Sequence, residues 1–174
     1  MKQIAILLTA LLLGGSLSAQ SKKALVVYFS ATGKTEAAAK ILAEAAQADL
    51  MAIVPETAYT QADLDWNNRS SRSSLEMRDE KSRPAIKPLE KKMADYETIY
   101  IGFPIWWGVA PRIVNTAIEA AGDLKGKTIR IFATSGSSTI DGSLAALKKT
   151  YPDLNIKDGR TLNKGKEDVD SWLK

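Results

Sequence analysis

The sequence predicts an α/β protein, a three-layer α-β-α sandwich built around a five-stranded parallel sheet. Short apolar runs alternate with segments whose apolar residues recur at helical spacing, and this alternation is typical of a parallel sheet covered on both faces. Three of the runs are followed at once by loops rich in glycine, hydroxyl or indole groups. Because ligands bind beyond the carboxyl ends of parallel strands, these loops indicate a site at one sheet edge. The elements fit the doubly wound strand order 2-1-3-4-5.

The N-terminal segment has the pattern of a secretory signal peptide. Lys2 gives it a positive start, Ile4–Leu13 is almost wholly apolar, and small residues follow up to Ala19. Such a stretch is too short to cross a bilayer as a helix. The sequence therefore predicts a signal peptide over residues 1–19 and one domain over residues 20–174. It also predicts an exported protein, periplasmic in a bacterium.

The composition excludes several classes of function. The chain has 24 Lys and Arg against 20 Asp and Glu, a formal net charge of +4, and neither cysteine nor histidine. Disulfides, thiolate metal sites and hydrolytic triads that depend on histidine or cysteine are therefore excluded. The sequence has no basic stripe interleaved with aromatic residues, so we expect no nucleic-acid partner. It has no later apolar stretch of membrane-spanning length, so we expect no stable membrane insertion.

The first predicted strand leads directly into a hydroxyl-rich turn. Leu25–Phe29 is an apolar run that predicts a buried strand, and a helical pattern follows the turn. Helix N-termini offer unpaired N–H groups and a positive dipole end, which suit a phosphate. A triphosphate loop would need glycine where Tyr28 stands, so the turn suits a single terminal phosphate; an ordinary capped turn is the alternative. The candidate binding residues are Ser30, Ala31, Thr32, Gly33, Lys34 and Thr35.

The remaining elements are predicted from the same alternation of patterns. Apolar runs predict strands, and apolar residues at three- and four-residue spacing predict helices. The predicted strands are Asp49–Val54, Thr98–Phe103, Lys127–Ala133 and a weaker fifth strand within Leu154–Leu162. The predicted helices run from Pro111 to Gly122, from the loop after Ser138 to Tyr151, and from Lys166 to Lys174.

The stretch between the second and third strands is the least regular part of the sequence. We expect one short helix opening at Thr60 and another over Leu89–Ala94. Between them, Asn67–Arg83 is rich in serine and arginine, and a solvated surface loop is the favoured interpretation. The alternative is a lid near the bound ligand, in which an arginine meets an anionic substrate or redox partner.

Two further loops are expected at the same sheet edge as the hydroxyl turn. The loop after the third strand consists of Pro104, Ile105, Trp106, Trp107 and Gly108, and the loop after the fourth begins with Thr134, Ser135, Gly136 and Ser137. A flat amphipathic ring would stack on indole side chains, whereas a purely structural domain has no need of two tryptophans in an irregular loop. We expect one indole to bind such a ring and the other to pack inward under the loop.

At these motifs the sequence resembles the flavodoxin family. Ser30–Thr35 fits the family's phosphate loop, Thr/Ser-x-Thr-Gly-x-Thr, at every position, and Trp107-Gly108 matches the Trp-Gly that flavodoxins commonly carry in the second loop. The resemblance implies FMN as cofactor, with its phosphate in the first loop and its ring stacked on Trp107. It also implies that the backbone at Gly108 turns over to bond the flavin N5, which a glycine permits.

The sequence departs from the family at four points. Val109 stands where many flavodoxins have an acidic residue, and Thr134–Ser138 has no tyrosine for the other face of the flavin. The chain is weakly basic where flavodoxins are usually strongly acidic, and its export signal contrasts with their usual cytoplasmic location. The bare third loop leaves room for a substrate over the flavin.

The residues and the resemblance together predict an exported FMN-binding electron-transfer protein. Its partner would be a redox protein or a small acceptor such as a quinone. We expect no catalytic acid or base, because the flavin carries the redox chemistry. The first alternative is an FMN-dependent reductase of quinones that is fed by NAD(P)H. The second is a flavodoxin-like fold that has lost the flavin and binds another protein.

Overall fold

The sheet has five parallel strands in the order β2-β1-β3-β4-β5, as predicted. The computed structural model describes residues 22–174. Its strands are β1 (Lys22–Tyr28), β2 (Asp49–Ala52), β3 (Tyr96–Pro104), β4 (Thr128–Thr134) and β5 (Ile156–Thr161). At the centre of the sheet, Ile101 lies opposite Val27 on one side and Ile131 on the other. The predicted α/β fold class is confirmed.

Helices cover both faces of the sheet. They are α1 (Lys34–Ala45), α2 (Arg72–Arg78), α3 (Arg112–Ala120), α4 (Asp141–Thr150) and α5 (Lys166–Leu173). In one apolar cluster, Leu42 of α1 and Val169 of α5 pack with Val26 of β1. In a second cluster, Ile113 of α3 and Leu147 of α4 pack with the other face of the sheet. Removing these side chains from water is the main favourable contribution to folding.

The strand register places the ends of β1, β3 and β4 side by side. Pro104 pairs with Thr134 at the last position of β3 and β4. Backbone hydrogen bonds continue the pairing beyond the strands, because the Phe29 N–H donates to the Gly102 carbonyl (2.9 Å) and the Ile105 N–H donates to the Thr134 carbonyl (3.0 Å). The three predicted site loops therefore start from adjacent points on one sheet edge.

The connection between β2 and β3 contains a helix that the sequence analysis did not predict. The favoured interpretation of Asn67–Arg83 as a solvated loop is wrong at α2, where Ser73 and Ser74 are buried. The Ser71 Oγ accepts a hydrogen bond from the Ser74 N–H (3.3 Å), which caps the helix N-terminus. Polar composition was misleading because small hydroxyl groups that bond to one another are compatible with burial.

Two short helices that were predicted around α2 are not found among the described residues. Thr60 and Asp63 exchange hydrogen bonds in the manner of a capping box, but a turn follows instead of a helix. Before β3, a 3-10 turn over Met93–Asp95 stands in place of the helix predicted over Leu89–Ala94. Local start signals were thus present at Thr60 without the periodic apolar face that sustains a helix.

The predicted signal peptide, residues 1–19, lies outside the described residues. The first strand begins at Lys22, shortly after the predicted cleavage point at Ala19. Within residues 22–174, no helix combines the length and the apolar character that a membrane span requires.

Candidate functional site

The hydroxyl turn lies between the end of β1 and the start of α1. Gly33 takes the N-cap position with a φ of +85°, a left-handed conformation that glycine adopts without strain. The Gly33 N–H donates to the Ser30 Oγ (3.1 Å), so the turn closes on itself. Thr32 and Lys34 are exposed at its outer edge. The turn thus presents a hydroxyl, an ammonium group and the N-terminus of a helix at one place.

The N-terminus of α1 is electrostatically suited to an anion. The Ala37 N–H donates to the Gly33 carbonyl (3.0 Å), so the N–H groups before Ala37 have no partner within the helix. They carry the positive end of the helix dipole. Glu36, the acidic residue of the first turn, pairs with Lys40 (2.6 Å), and Lys34 adds a further positive charge. A terminal phosphate would be stabilised by these groups.

Thr35 links the first loop to the third. Its side chain is 1 % exposed, and its Oγ1 lies 2.8 Å from the Thr134 Oγ1 in a hydrogen bond. Both residues were predicted to bind the cofactor. Because a hydroxyl has only one proton to donate, only the hydroxyl that accepts within this pair can also donate to a ligand oxygen. The pair also fixes the separation of the two loops.

The third loop is held in a compact turn. The Ser135 Oγ accepts hydrogen bonds from the N–H groups of Ser137 (3.3 Å) and Ser138 (2.9 Å). Asn163, just beyond β5, accepts from the Ser135 N–H at Oδ1 (3.0 Å) and donates from Nδ2 to the Ser135 carbonyl (2.8 Å). Sequence reasoning missed Asn163, because a single asparagine after a weak strand belongs to no motif. Its amide replaces a strand partner and orders the loop.

The second loop folds into a two-residue hairpin turn. Trp106 and Val109 exchange backbone hydrogen bonds of 3.0 and 3.1 Å, and Trp107 and Gly108 lie between them with φ of +48° and +81°. Positive φ at both central residues is the requirement of a type I′ turn. The conformation is strained for tryptophan. It leaves the Trp107 side chain 51 % exposed.

The two tryptophans of the second loop have different environments. Trp106 packs against Phe29 and Tyr59, with ring-centroid distances of 5.6 and 5.5 Å and nearly perpendicular planes. Phe29 and Tyr59 are themselves 5.6 Å apart, so the three rings form a closed cluster with favourable edge-to-face contacts. Trp106 is therefore the inward indole of the pair. Trp107 remains the indole that is free to stack on a ligand.

The Gly108 carbonyl lies against the first turn of α4. A methyl group added at Gly142 would stand 2.5 Å from the Gly108 oxygen, which is closer than non-bonded carbon and oxygen atoms approach. The lack of a side chain at Gly142 therefore allows the hairpin turn to pack on the helix. Sequence analysis did not identify this residue, because a glycine inside a helical pattern has no signal of its own.

The segment that precedes α2 forms another wall of the site. The Tyr59 hydroxyl donates a hydrogen bond to Glu76 Oε2 (2.6 Å). Arg72 lies 3.9 Å from the Tyr59 ring centroid and pairs with Glu76 (2.7 Å). Burial of the hydroxyl, and then its hydrogen bond to Glu76, raises the pKa of Tyr59 far above its usual value, so the side chain stays neutral. Arg72 is committed to Glu76 instead of to an anionic ligand.

Two cavities open at this edge, and they share Thr32 and the stretch 104–106. We call the first the hydroxyl-lined cavity; it has a volume of about 620 Å³, and its lining includes Lys34, Thr134, Ser135, Gly136 and Asn163. We call the second the indole-lined cavity; it has a volume of about 410 Å³, and its lining adds Ala31, Leu64, Trp66, Ser73 and Trp107. Trp66 was not among the predicted site residues.

The two cavities match the two chemical halves of FMN. Hydroxyl groups, an amide and the helix N-terminus of the first cavity suit a phosphate and a polyhydroxyl chain. Indole and aliphatic surfaces of the second suit a flat aromatic ring. Ten of the predicted residues line one or both cavities. The other five shape or brace the loops without lining either cavity: Ser30, Gly33, Thr35, Gly108 and Ser137.

Comparisons with known proteins agree with this geometry. A family model described as flavodoxin matches residues 23–174. The crystal structure of a candidate flavoprotein from Bacteroides eggerthii is 55 % identical, with a TM-score of 0.83 over 87 % of this chain and 95 % of that chain. The crystal structure of another, from Bacteroides uniformis, is 52 % identical, with a TM-score of 0.84 over 88 % of this chain and 99 % of that chain. A Lactobacillus acidophilus flavoprotein crystallised in complex with FMN is 22 % identical and shares the fold, with a TM-score of 0.70 over 88 % and 99 %. No curated protein matches the chain.

Proposed function

The chain belongs to the flavodoxin family, and from this premise we propose that it is an exported FMN-binding protein that transfers electrons. One observation carries the proposal. A helix N-terminus with hydroxyl and ammonium groups and an exposed indole, Trp107, meet at the same sheet edge, in cavities that share residues. Phosphate binding and ring stacking together are the requirements of FMN. The FMN complex of the Lactobacillus acidophilus flavoprotein supports the same cofactor.

The residues of the chain would bind and orient the cofactor, and FMN when bound would supply the redox chemistry. Lys34 and the first N–H groups of α1 would hold the phosphate. Trp107 would cover one face of the ring, and Ile105 would exclude water beside it. The electron acceptor would be a redox protein or a small molecule such as a quinone.

Titration of the domain over residues 20–174 with FMN tests the cofactor assignment. We expect tight binding with mutual quenching of flavin and tryptophan fluorescence. Thr32→Ala should weaken binding by about 10-fold, because one hydrogen bond to a charged group is lost. Trp107→Ala should weaken it by about 5- to 100-fold, because one stacking contact is lost.

Thr150→Ala serves as the matched control, because Thr150 lies at the far end of α4 and bonds only within its helix. It should bind FMN like the wild type. A folded wild-type domain that binds no FMN at high concentration would contradict the proposal and favour the alternative of a binding protein without flavin.

Export is tested separately by the mass and location of the protein produced from the full chain in a bacterium. We expect a periplasmic product whose N-terminus lies at or near Gln20, as the pattern of Lys2 and Ile4–Leu13 indicates. An intact N-terminus on a cytoplasmic product would contradict export and would leave the cofactor assignment unaffected.

A quinone reductase is the second candidate function. The observation in its favour is the indole-lined cavity, which is open beside Trp107 and large enough for a small planar acceptor. Steady turnover of NAD(P)H with a quinone would favour the reductase. An electron carrier would show only slow turnover with these substrates.

A further inference from the structure

Trp66 is the most exposed of the large apolar side chains in the part of the chain that the structure describes. Its side chain is 72 % exposed, compared with 51 % for Trp107. Both indoles line the indole-lined cavity. Two large apolar groups that face the same cavity gain free energy when a ligand removes them from water.

The turn that carries Trp66 is ordered by local hydrogen bonds. The Asn68 N–H donates to the Asp65 carbonyl (3.1 Å), and the Asn67 N–H donates to Asp65 Oδ1 (3.0 Å). Asp63, three residues before Trp66, accepts a hydrogen bond at its carbonyl from the Ser73 N–H of α2 (3.0 Å). This bond ties the turn to α2. The backbone at Trp66 is therefore already ordered, so binding costs little further backbone entropy there.

The same segment is fastened to the floor of the site. Arg72 donates to the Thr57 carbonyl (2.8 Å) and pairs with Glu76, and Glu76 accepts from Tyr59. Tyr59 in turn packs edge-on against Trp106. A continuous series of contacts therefore joins α2 to the second loop, so the two walls of the cavity keep their separation.

Among residues 22–174, the free aromatic surfaces that border the site come from two residues. Trp106 is engaged edge-on with Phe29 and Tyr59, and the third loop, 134–138, contains no aromatic residue. Trp66 and Trp107 remain, on different loops that border one cavity. Their arrangement suits a ligand that is flat, aromatic and apolar over most of its surface.

We propose that Trp66 and Trp107 form an indole clamp that binds one planar aromatic ring in the indole-lined cavity. The inference rests on the proposed function, and it names the ring chemistry that this site selects. Two sources share that chemistry: the isoalloxazine of FMN itself, or a separate planar acceptor of the quinone class. Leu64 and Ile105, which also line the cavity, would pack against the edge of the ring.

The test uses Trp66→Ala and Trp66→Phe, with Leu75→Ala as the matched control. Leu75 is an exposed apolar residue of α2 in the same segment, and it does not line the cavity. The probes are FMN and menadione, each measured by equilibrium dialysis against the chain without flavin, and menadione also against the FMN-loaded chain. The visible absorption band of bound FMN is recorded as a second readout. Circular dichroism checks that each variant folds. We expect all of them to fold, because Trp66 and Leu75 are exposed and substitutions at exposed positions change stability little.

If the ring is the isoalloxazine, Trp66→Ala weakens FMN binding by about 5- to 100-fold and shifts the absorption band towards that of free FMN. If the ring belongs to a separate acceptor, Trp66→Ala leaves FMN binding unchanged and weakens menadione binding by a similar factor. In either case Trp66→Phe retains most of the affinity, because phenylalanine still offers a ring face, and Leu75→Ala behaves like the wild type.

Wild-type affinity of Trp66→Ala for both probes would overturn the indole clamp while leaving the FMN assignment in place. Failure of the wild type to bind FMN would overturn the proposed function. In that event menadione binding by the chain without flavin, and its dependence on Trp66, would still decide for or against the clamp.

Discussion

At the scale of single residues, the site depends on a strained tryptophan. Trp107 has a positive φ, which for a residue with a β-carbon costs about 1–2 kcal/mol. Such strain persists only where surrounding contacts enforce it. Here the bonds between Trp106 and Val109 close the turn, and Gly108 supplies the other positive φ. Because this strain lowers stability, it favours a role of Trp107 in binding, as the proposed ring stacking requires, over a role in stability.

Replacement of Trp107 separates its conformational strain from its ligand contact. We expect Trp107→Asn to raise the free energy of unfolding of the flavin-free domain by about 0.5–1 kcal/mol relative to Trp107→Ala, because asparagine tolerates the left-handed region. Both variants should lose FMN affinity to the same degree, since neither has an aromatic ring. Urea unfolding followed by far-UV circular dichroism and FMN titration measure the two effects.

Equal stability of the asparagine and alanine variants would show that the turn imposes no strain at Trp107. Wild-type FMN affinity in both would remove this indole from the binding site. The two readouts are independent, so one conclusion can fail without the other.

At the scale of elements, the N-terminus of α4 determines where the second loop rests. Gly142 leaves space for the Gly108 carbonyl. A glycine within a helix makes the helix less stable than alanine would, by about 0.5–1 kcal/mol. The presence of Gly142 in α4 is explained by the contact of this helix with the hairpin turn, which leaves no space for a side chain.

We expect Gly142→Ala to destabilise the domain by about 1–3 kcal/mol, because the new methyl group overlaps the Gly108 oxygen and displaces the turn. FMN affinity should fall as well, since Trp107 moves with the turn. Gly136→Ala is the control for stability, because a methyl group there meets open space. Urea unfolding and FMN titration of both variants measure the effects. A Gly142→Ala domain as stable as the wild type would show that the hairpin turn moves aside for the new methyl group at no cost.

The elements that were predictable from the sequence are those with a continuous apolar signal. β1, β3 and β4 are such runs, and the loops that follow them carry the site. The helix α2 was missed because its buried face includes Ser73 and Ser74, whose hydroxyl groups gave the pattern of a surface loop. Asn163 and Gly142 were missed for a different reason: each acts on a loop distant in sequence, and only the fold brings them together.

At the scale of the whole molecule, the site is a product of strand order. Thr35 and Thr134 are 99 residues apart in the chain and 2.8 Å apart in space. Their contact depends on β1 lying beside β3, at the switch point of the doubly wound sheet, and on β3 lying beside β4. The strand order 2-1-3-4-5 was enough to predict the general position of the site. The place of Trp66 in the cavity lining was not predictable, because Trp66 lies in an irregular connection.

Arg130 links the far edge of the sheet to the last helix. Arg130 of β4 donates two hydrogen bonds to the Asp158 carboxylate of β5 (2.7 and 2.8 Å). Its guanidinium also lies 4.3 Å from the Trp172 ring centroid of α5 and donates to the Trp172 carbonyl (3.3 Å). Trp172 in turn contacts Tyr100 of β3. The ion pair of Arg130 with Asp158, supported by the Trp172 ring, thus contributes to the packing of β4, β5 and α5.

This junction should make stability sensitive to acid. The hydrogen bond from Arg130 lowers the pKa of Asp158, so the pair stabilises the fold above the unfolded pKa of about 3.9 and loses its contribution as the pH falls through the lowered folded value. We expect Asp158→Asn to reduce the free energy of unfolding at pH 7 by about 1 kcal/mol. We also expect it to flatten the decline of that free energy below about pH 4.

Asp170→Asn is the matched control, because Asp170 pairs with Lys166 on the exposed surface of α5 (2.7 Å) and its substitution should change stability by less than about 0.5 kcal/mol. Urea unfolding at pH 7 and pH 3 measures both variants. An Asp158→Asn domain with the pH dependence of the wild type would show that Arg130 is held by Trp172 and not by the carboxylate.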